Sequence, residues 1–440
     1  MKNKTRGGMS GFQIAVTGVF IFFTVGGVLL FAGVGGFGGD DSAVGAVEIW
    51  GTYNEETVRE AIKQLSYDES RLDEVTYRQI DPRFFDDTLV EGLASGKGPD
   101  LFFLHQAAIV RYADKVLPIS YKTMSAREFR NTFIEEGELY LGDEGVLGLP
   151  LVVDPMIMYW NRTLYGNRGV SRPPQYWDEF LTLAEHGSLT SRNQDGTLST
   201  SALALGEYRN IAHAKELLSL IMMQAGASIV GWEEGTLVPQ LVTALSNEQS
   251  PADNALRFYT DFANPAKTVY SWNRSLPEAQ AAFVGGTLAT YFGFASEINL
   301  IRQQNPNLNF DVALMPQVRE SALRASFGNM AALALSRGSV NQNGALTIAL
   351  ILTSREASAR FSEVLNLSPV RRDLLQTRPA DPFRAIFADA ALQSKGWLDP
   401  SAKDTEVIFQ NMIESVASGR ARVSEAVNTA DSELRNALIR

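Results

Sequence analysis

The chain has no cysteine and only three histidines, His105, His186 and His213, among 440 residues. The first absence rules out disulfides, thiolate metal sites, cysteine nucleophiles and lipid attachment through an N-terminal cysteine. No histidine lies in a His-x-x-Glu-His or similar metal-ligand spacing. No serine occupies a Gly-x-Ser-x-Gly turn, and no Gly-x-x-x-x-Gly-Lys-Ser/Thr loop is present to cradle a phosphate. Positive charge is also short: the net charge is −11, which argues against nucleic acid or anionic lipid headgroups as partners.

One long uncharged run is present near the start. Lys2, Lys4 and Arg6 precede an apolar segment from Ile14 to Val34, and Asp40 and Asp41 follow it. At about 21 residues it is long enough to span a hydrocarbon core as a helix, and longer than a signal-peptide core. The charge order puts the N-terminus in the cytoplasm and the body outside. The expectation is a basic cytoplasmic N-terminus (1–12), an uncleaved transmembrane anchor (13–34) and a Gly-rich tether (35–46). About 400 residues then remain, enough for two lobes.

The most informative stretch of the body is GVLGLPLVVDPMIMYWNRTLY, Gly145 to Tyr165. Its aliphatic and β-branched residues suit a buried strand. Asp154, beside Pro155, interrupts the apolar run. A carboxylate there is costly unless the protein or a ligand pairs with it. Upstream, Val47–Trp50, Val75–Ile80 and Pro99–Leu104 read as strands. Helical segments Glu55–Leu65, with Asn54 as N-cap, and Phe84–Ala94 alternate with them in an α/β rhythm. From about Tyr176 to Phe283 the chain reads as mostly helical, with one helix opening after Pro173-Pro174. Phe310–Leu314 and Ala331–Leu335 read as strands, and Leu346–Thr353 and Thr405–Val416 as helices.

His105 ends a strand, where an α/β sheet presents ligands; His213, among Ala and Leu, reads as an ordinary surface or packing residue. Many carboxylates are present, but nothing singles out a glycosidase pair. Aromatic residues stand in turn-like polar settings at Gly206–Asn210, Ser271–Asn273 and Ser326–Asn329. Ring faces beside Asn, Asp and Glu suit a sugar, whose C–H face packs on a ring while its hydroxyls take hydrogen bonds.

Five segments in order resemble those of the extracellular solute-binding proteins of ABC importers, the maltose-binding-protein-like (family 1) group. They are GLASGKGPD (92–100), GLPLVVDPMIMYWN (148–161), PQYWDEF (174–180), AFVGGTLA (282–289) and VASGR (416–420) with Ala426-Val427 after it. The resemblance covers nearly everything after the tether. It implies an α/β, two-lobe periplasmic-binding-protein-like (class II) fold with hinge crossovers, here preceded by one N-terminal transmembrane helix. Lobe one would comprise 47–153 and 330–375, and lobe two 154–329 and 376–440. Thr52, Tyr53, His105, Gln106 and Asp154 would face the cleft from lobe one and the hinge. Tyr208, Asn210, Phe294, Phe327 and Asn329 would face it from lobe two or the second hinge, with Trp272 and Trp397 as further contacts. Leu104 and Ala107 depart from the pattern, standing where a stacking Trp and an acid can occur. The implied function is capture of a small polar solute, a sugar or oligosaccharide, for ABC permease subunits, without catalysis, cofactor or metal. A carbohydrate-active enzyme, or a sensor or adhesin reusing the fold, is the alternative.

Overall fold

The structure, a computed structural model, describes residues 44–185, 187–242, 250–321 and 323–439. The expected N-terminal anchor and most of the tether, and His186, lie outside the described residues. Among the described residues no helix is long and apolar enough to cross a membrane.

The body is organised by its strands: β1 (Val47–Gly51), β2 (Val75–Gln79), β3 (Leu101–His105), β4 (Leu149–Asn161), β5 (Ser191–Arg192), β6 (Leu198–Leu203), β7 (Val230–Glu233), β8 (Thr236–Pro239), β9 (Leu288–Phe294), β10 (Phe310–Ala313), β11 (Ser326–Leu335), β12 (Ser368–Pro369) and β13 (Ser394–Lys395). The main sheet runs β2-β1-β3-β11-β4-β9-β6-β5. β1, β2 and β3 are parallel, so each connection needs a crossover helix. The first, Glu55–Ser66, is capped by Asn54, whose side chain accepts from the Thr57 N–H at 3.0 Å.

β4 joins two portions of the sheet. All thirteen of its residues are buried. Leu149 to Pro155 pair with β11, and Met156 to Trp160 with β9. The partner therefore changes at Pro155-Met156, just past Asp154, and Pro155 lacks an N–H to donate. β11 runs antiparallel to both β3 and β4 and pairs at its start with β13.

Two buried tyrosines pin strand ends across this frame. The Tyr140 hydroxyl donates to the Leu104 carbonyl at 2.8 Å and lies 3.1 Å from that of Met330. The Tyr159 hydroxyl donates to the Phe294 carbonyl at 2.7 Å. Such a bond contributes about 1 kcal/mol net, but here it also fixes where β3 and β9 terminate.

The structure departs from the sequence reading in three places. The middle of the chain is not mostly helical: β5, β6, β7 and β8 lie there, short segments of two to six residues that take their conformation from the strands they pair with. The helix after Pro173-Pro174 covers only Glu179–Ala184, because Tyr176 bridges to Gln317 instead. Ser326–Asn329, read as a turn, is the start of β11: Gly328 stands opposite Pro155 and Asn329 opposite Asp154. Two neighbouring strands outweigh the turn preference of Gly and Asn.

Candidate binding site

Four strands end towards one region. β1 ends into Thr52 and Tyr53, β3 at His105, β9 at Phe294, and β6 continues into the loop Gly206–Asn210. The carboxyl ends of strands are where open α/β sheets place ligands. Gly51 is required at the first of these turns: a Cβ there would lie 2.5 Å from the Phe103 ring and 2.8 Å from the Tyr77 hydroxyl. That hydroxyl donates to the Tyr53 carbonyl at 2.9 Å and holds the turn. Tyr53 then packs edge-on against Phe103, with its ring 6.0 Å from that of His105. Thr52 is half-buried beside it.

Asp154 is at the centre. It is 9 % exposed, and its Oδ1 accepts the Ser296 N–H at 3.0 Å. Burial pushes its carboxyl up to about 6; the Ser296 hydrogen bonds oppose the rise, the nearby Glu297 charge adds to it, and His213 opposes it. Burial raises the Tyr53 hydroxyl as well, with the Asp154 charge adding to the effect. On the other side, burial lowers His105, against a hydrogen bond with Asn329. Asn329 is exposed and stands opposite Asp154 in the sheet.

A second acid close by is differently employed. Glu297 follows β9 and collects donors: the Phe294 N–H at 2.7 Å, the Tyr291 hydroxyl at 2.6 Å, the Gln280 amide, and His213 Nε2 at 2.8 Å. Burial raises Glu297, but His213 and these donors outweigh it, and the carboxyl is held below its usual range. His213 in turn is pushed down by burial and up by Glu297, with a net rise. Its ring meets Phe294 edge-on at 4.8 Å. Glu297 is thus a structural carboxylate that shapes the turn, whereas Asp154 is the lightly coordinated acid.

A polar cluster lies where the helix Ala214–Gln224 meets the start of the helix Ala402–Ala417. Lys215, 5 % exposed, pairs with Asp399 at 2.9 Å and Thr405 Oγ1 at 3.0 Å. Glu406 lies 3.8 Å from Lys215 and accepts the Tyr208 hydroxyl. The Trp397 ring stacks on Phe409, with the Lys215 ammonium 5.9 Å from its centroid.

The profile of the bacterial extracellular solute-binding proteins matches residues 74–386. The chain belongs to this family. Four of the five motifs that carried the resemblance fall within that match; VASGR, at 416–420, lies beyond it. A binding protein of Brucella abortus (strain 2308) is 21% identical over 368 residues, which is 79% of this chain and 82% of that protein. The cyclic α-maltosyl-1,6-maltose binding protein from Arthrobacter globiformis has a TM-score of 0.72 at 15% identity, covering 90% of this chain and 99% of that one. The sugar-binding protein MalE from Xanthomonas citri has a TM-score of 0.71 at 18% identity, covering 90% and 98%. A solute-binding protein from Thermotoga lettingae, bound with α-D-tagatose, has a TM-score of 0.64 at 20% identity, covering 89% and 99%. These likenesses show the fold.

This solute-binding protein brings Tyr53, His105, Phe294 and Asn329 into the neighbourhood of Asp154. Other expected contacts have different employment. Asn210 and Trp272 form a core pair: the indole Nε1 donates to Asn210 Oδ1 at 3.1 Å, and Asn210 Nδ2 donates to the Asn273 and Leu276 carbonyls. Trp272 is 1 % exposed. A loop position led to both; loop position does not decide burial. Gln106, also buried, donates to the Gly328 carbonyl. Phe327, buried, lies in β11 opposite Lys395. Tyr208 and Trp397 belong to the Lys215 cluster. Ser296, Glu297, Lys215, Asp399 and Glu406 escaped the sequence reading, and His213 was read as an ordinary surface or packing residue. For Glu297 a signal existed: an acid three residues after a strand end, reaching back to the Phe294 N–H, is half of a capping box.

Proposed function

We propose that the protein is the extracytoplasmic solute-binding component of an ABC import system. It takes a small polar solute, a sugar or oligosaccharide, between two lobes: 47–153 with 330–375, and 154–329 with 376–440. The membership of the family and the carbohydrate ligands named for several proteins of like fold support this reading.

One observation carries it. Asp154 is a buried carboxyl with few protein donors, placed where β4 exchanges β11 for β9. Tyr53 lies close enough to feel its charge from one portion, and Ser296 and His213 from the other. Ligand hydroxyls supply the donors that a buried carboxylate needs. A solute that touches both portions favours the arrangement in which they are close, because its contacts exist only there. An N-terminal anchor at 13–34 and a tether at 35–46 would keep the receptor near its permease at high effective concentration. Hydrolysis of a glycoside is disfavoured, since it needs two available carboxyl groups, and Glu297 already receives donors from four residues.

A thermal-shift panel of mono- and oligosaccharides, amino acids and polyamines, followed by calorimetry on any hit, tests the proposal. The expected result is stabilisation by a carbohydrate that is recovered unaltered. Stabilisation only by an amino acid or polyamine, or recovery of cleaved sugar, overturns it.

A further inference from the structure

Glu136 lies in the turn Glu135–Tyr140 and is 2 % exposed. Neither of its carboxyl oxygens has a hydrogen-bond partner, and neither does Gln106 Oε1. All three acceptors gather about two glycines. A Cβ on Gly328 would sit within bonding distance of the Glu136 carboxyl, and a Cβ on Gly396 would sit 2.5 Å from Gln106 Oε1. Gly328 lies in β11, and Gly396 directly follows β13, which pairs with the start of β11. The two polar side chains therefore fill the space those glycines leave. The Ser394 hydroxyl, though close, donates to the Ala390 carbonyl, and Gln106 Nε2 is spent on Gly328. The place is rich in acceptors, with the Ser394 hydroxyl, shared with the Ala390 carbonyl, as its nearby donor. A proton on Glu136 is the smallest addition that supplies another.

We propose that Glu136 is a proton-operated latch between the two portions of the fold. Protonated, it stays seated against Gly328; ionised, it leaves that seat and releases the grip of the turn 135–140 on β11 and β13. The proposal rests on the two-lobe reading above but not on the identity of the solute. An ionised carboxylate that keeps its seat faces desolvation with only the shared Ser394 hydroxyl to offset it. Its way out is a groove of ≈ 600 Å³ lined by Glu136, Met223, Trp232, Lys395 and Trp397.

The charged surroundings are few. Lys395, from β13, pairs with Glu135 and is the nearby cation. Glu135, Glu138 and Tyr140 share the turn. From the helix Ala126–Thr132 come Arg127, Glu128 and Arg130, the last paired with Glu138. β11 carries no titratable residue. Burial raises the Glu136 carboxyl to about 8, against Lys395 and the Ser394 hydroxyl. Because its native value lies above the unfolded one, the seat's contribution is complete in acid and is lost as pH rises through about 8.

The cysteine-free chain allows a direct test. Spin labels at Glu144→Cys and Glu233→Cys, both exposed and close in sequence to the groove-lining Leu141 and Trp232, report their separation in the full-length, ligand-free protein from pH 6 to pH 9.5. The expected result is a distance change centred near pH 8 that Glu136→Gln abolishes, holding the acid-side distance throughout. Lys395→Met, which removes the opposing cation, should move the midpoint upward. A separation independent of pH in the parent, or an equal change in Glu136→Gln, overturns the proposal. If Glu136→Gln does not fold, an unmoved or lowered midpoint in Lys395→Met does so instead. Calorimetry with a stabilising sugar is run separately, so failure of the latch leaves the solute-binding reading standing.

Discussion

Asp154 and Asn329 stand directly opposite each other on β4 and β11, and Asn329 is hydrogen-bonded to His105. A polar rung at this point joins strand-end residues of one half of the sheet to the junction with the other. It places an acid, an amide and an imidazole within one region, with Tyr53 and Phe294 as aromatic walls. Four predictions follow from this arrangement and its surroundings.

Asp154→Asn should weaken sugar binding at least tenfold, the loss of a charge-assisted hydrogen bond to ligand. The melting temperature of the ligand-free protein should not fall. Calorimetric titration alongside a melting curve checks both; unchanged affinity with a large loss of stability would make the side chain purely structural.

The same acid imposes a pH dependence. Its native value, about 6, lies above the ordinary 3.8, so its contribution is intact below about pH 4 and is lost as pH rises through 6. That amounts to about 2–3 kcal/mol. Denaturant midpoints between pH 4 and pH 7.5 should therefore fall less in Asp154→Asn than in the parent chain.

Glu297→Gln should behave in the opposite way. It leaves four donors facing a neutral amide and His213 without its counter-charge. A loss of about 3 kcal/mol is expected from breaking a buried, hydrogen-bonded ion pair, read as a lower urea midpoint. Solute binding should weaken too, because the turn carrying Ser296 loosens.

Lys215→Met should cost about 3–5 kcal/mol by stranding Asp399, which is 2 % exposed. The double variant Lys215→Met/Asp399→Leu should recover most of the loss. Failure to recover in a double-mutant cycle would mean that Thr405 and the helix start, rather than the pair itself, hold the stability.

Much of the frame was legible in the order of residues. Asn54 announced its helix, and the first three strands alternate with helices as their apolar runs suggest. Asp154 stood out because nothing else in its thirteen-residue strand is charged. His105 was legible as a strand end. What escaped depends on partners remote in sequence. Trp272 and Asn210 look like loop residues until their mutual hydrogen bond and burial are seen. Phe327 and Asn329 follow turn chemistry locally, and only the strands beside them make them extended. Glu297 is one acid among many until His213, 84 positions away, closes on it. Glu136 owes its setting to the absence of a side chain at Gly328.

Pro155 faces Gly328 across β4 and β11. One rail of the ladder has no amide hydrogen there, and the other has no bulk. Stiffness along β4 and β11 should be lowest at that rung, so that flexure concentrates there instead of spreading along their length. Amide exchange in the residues on either side is where such bending would leave its trace.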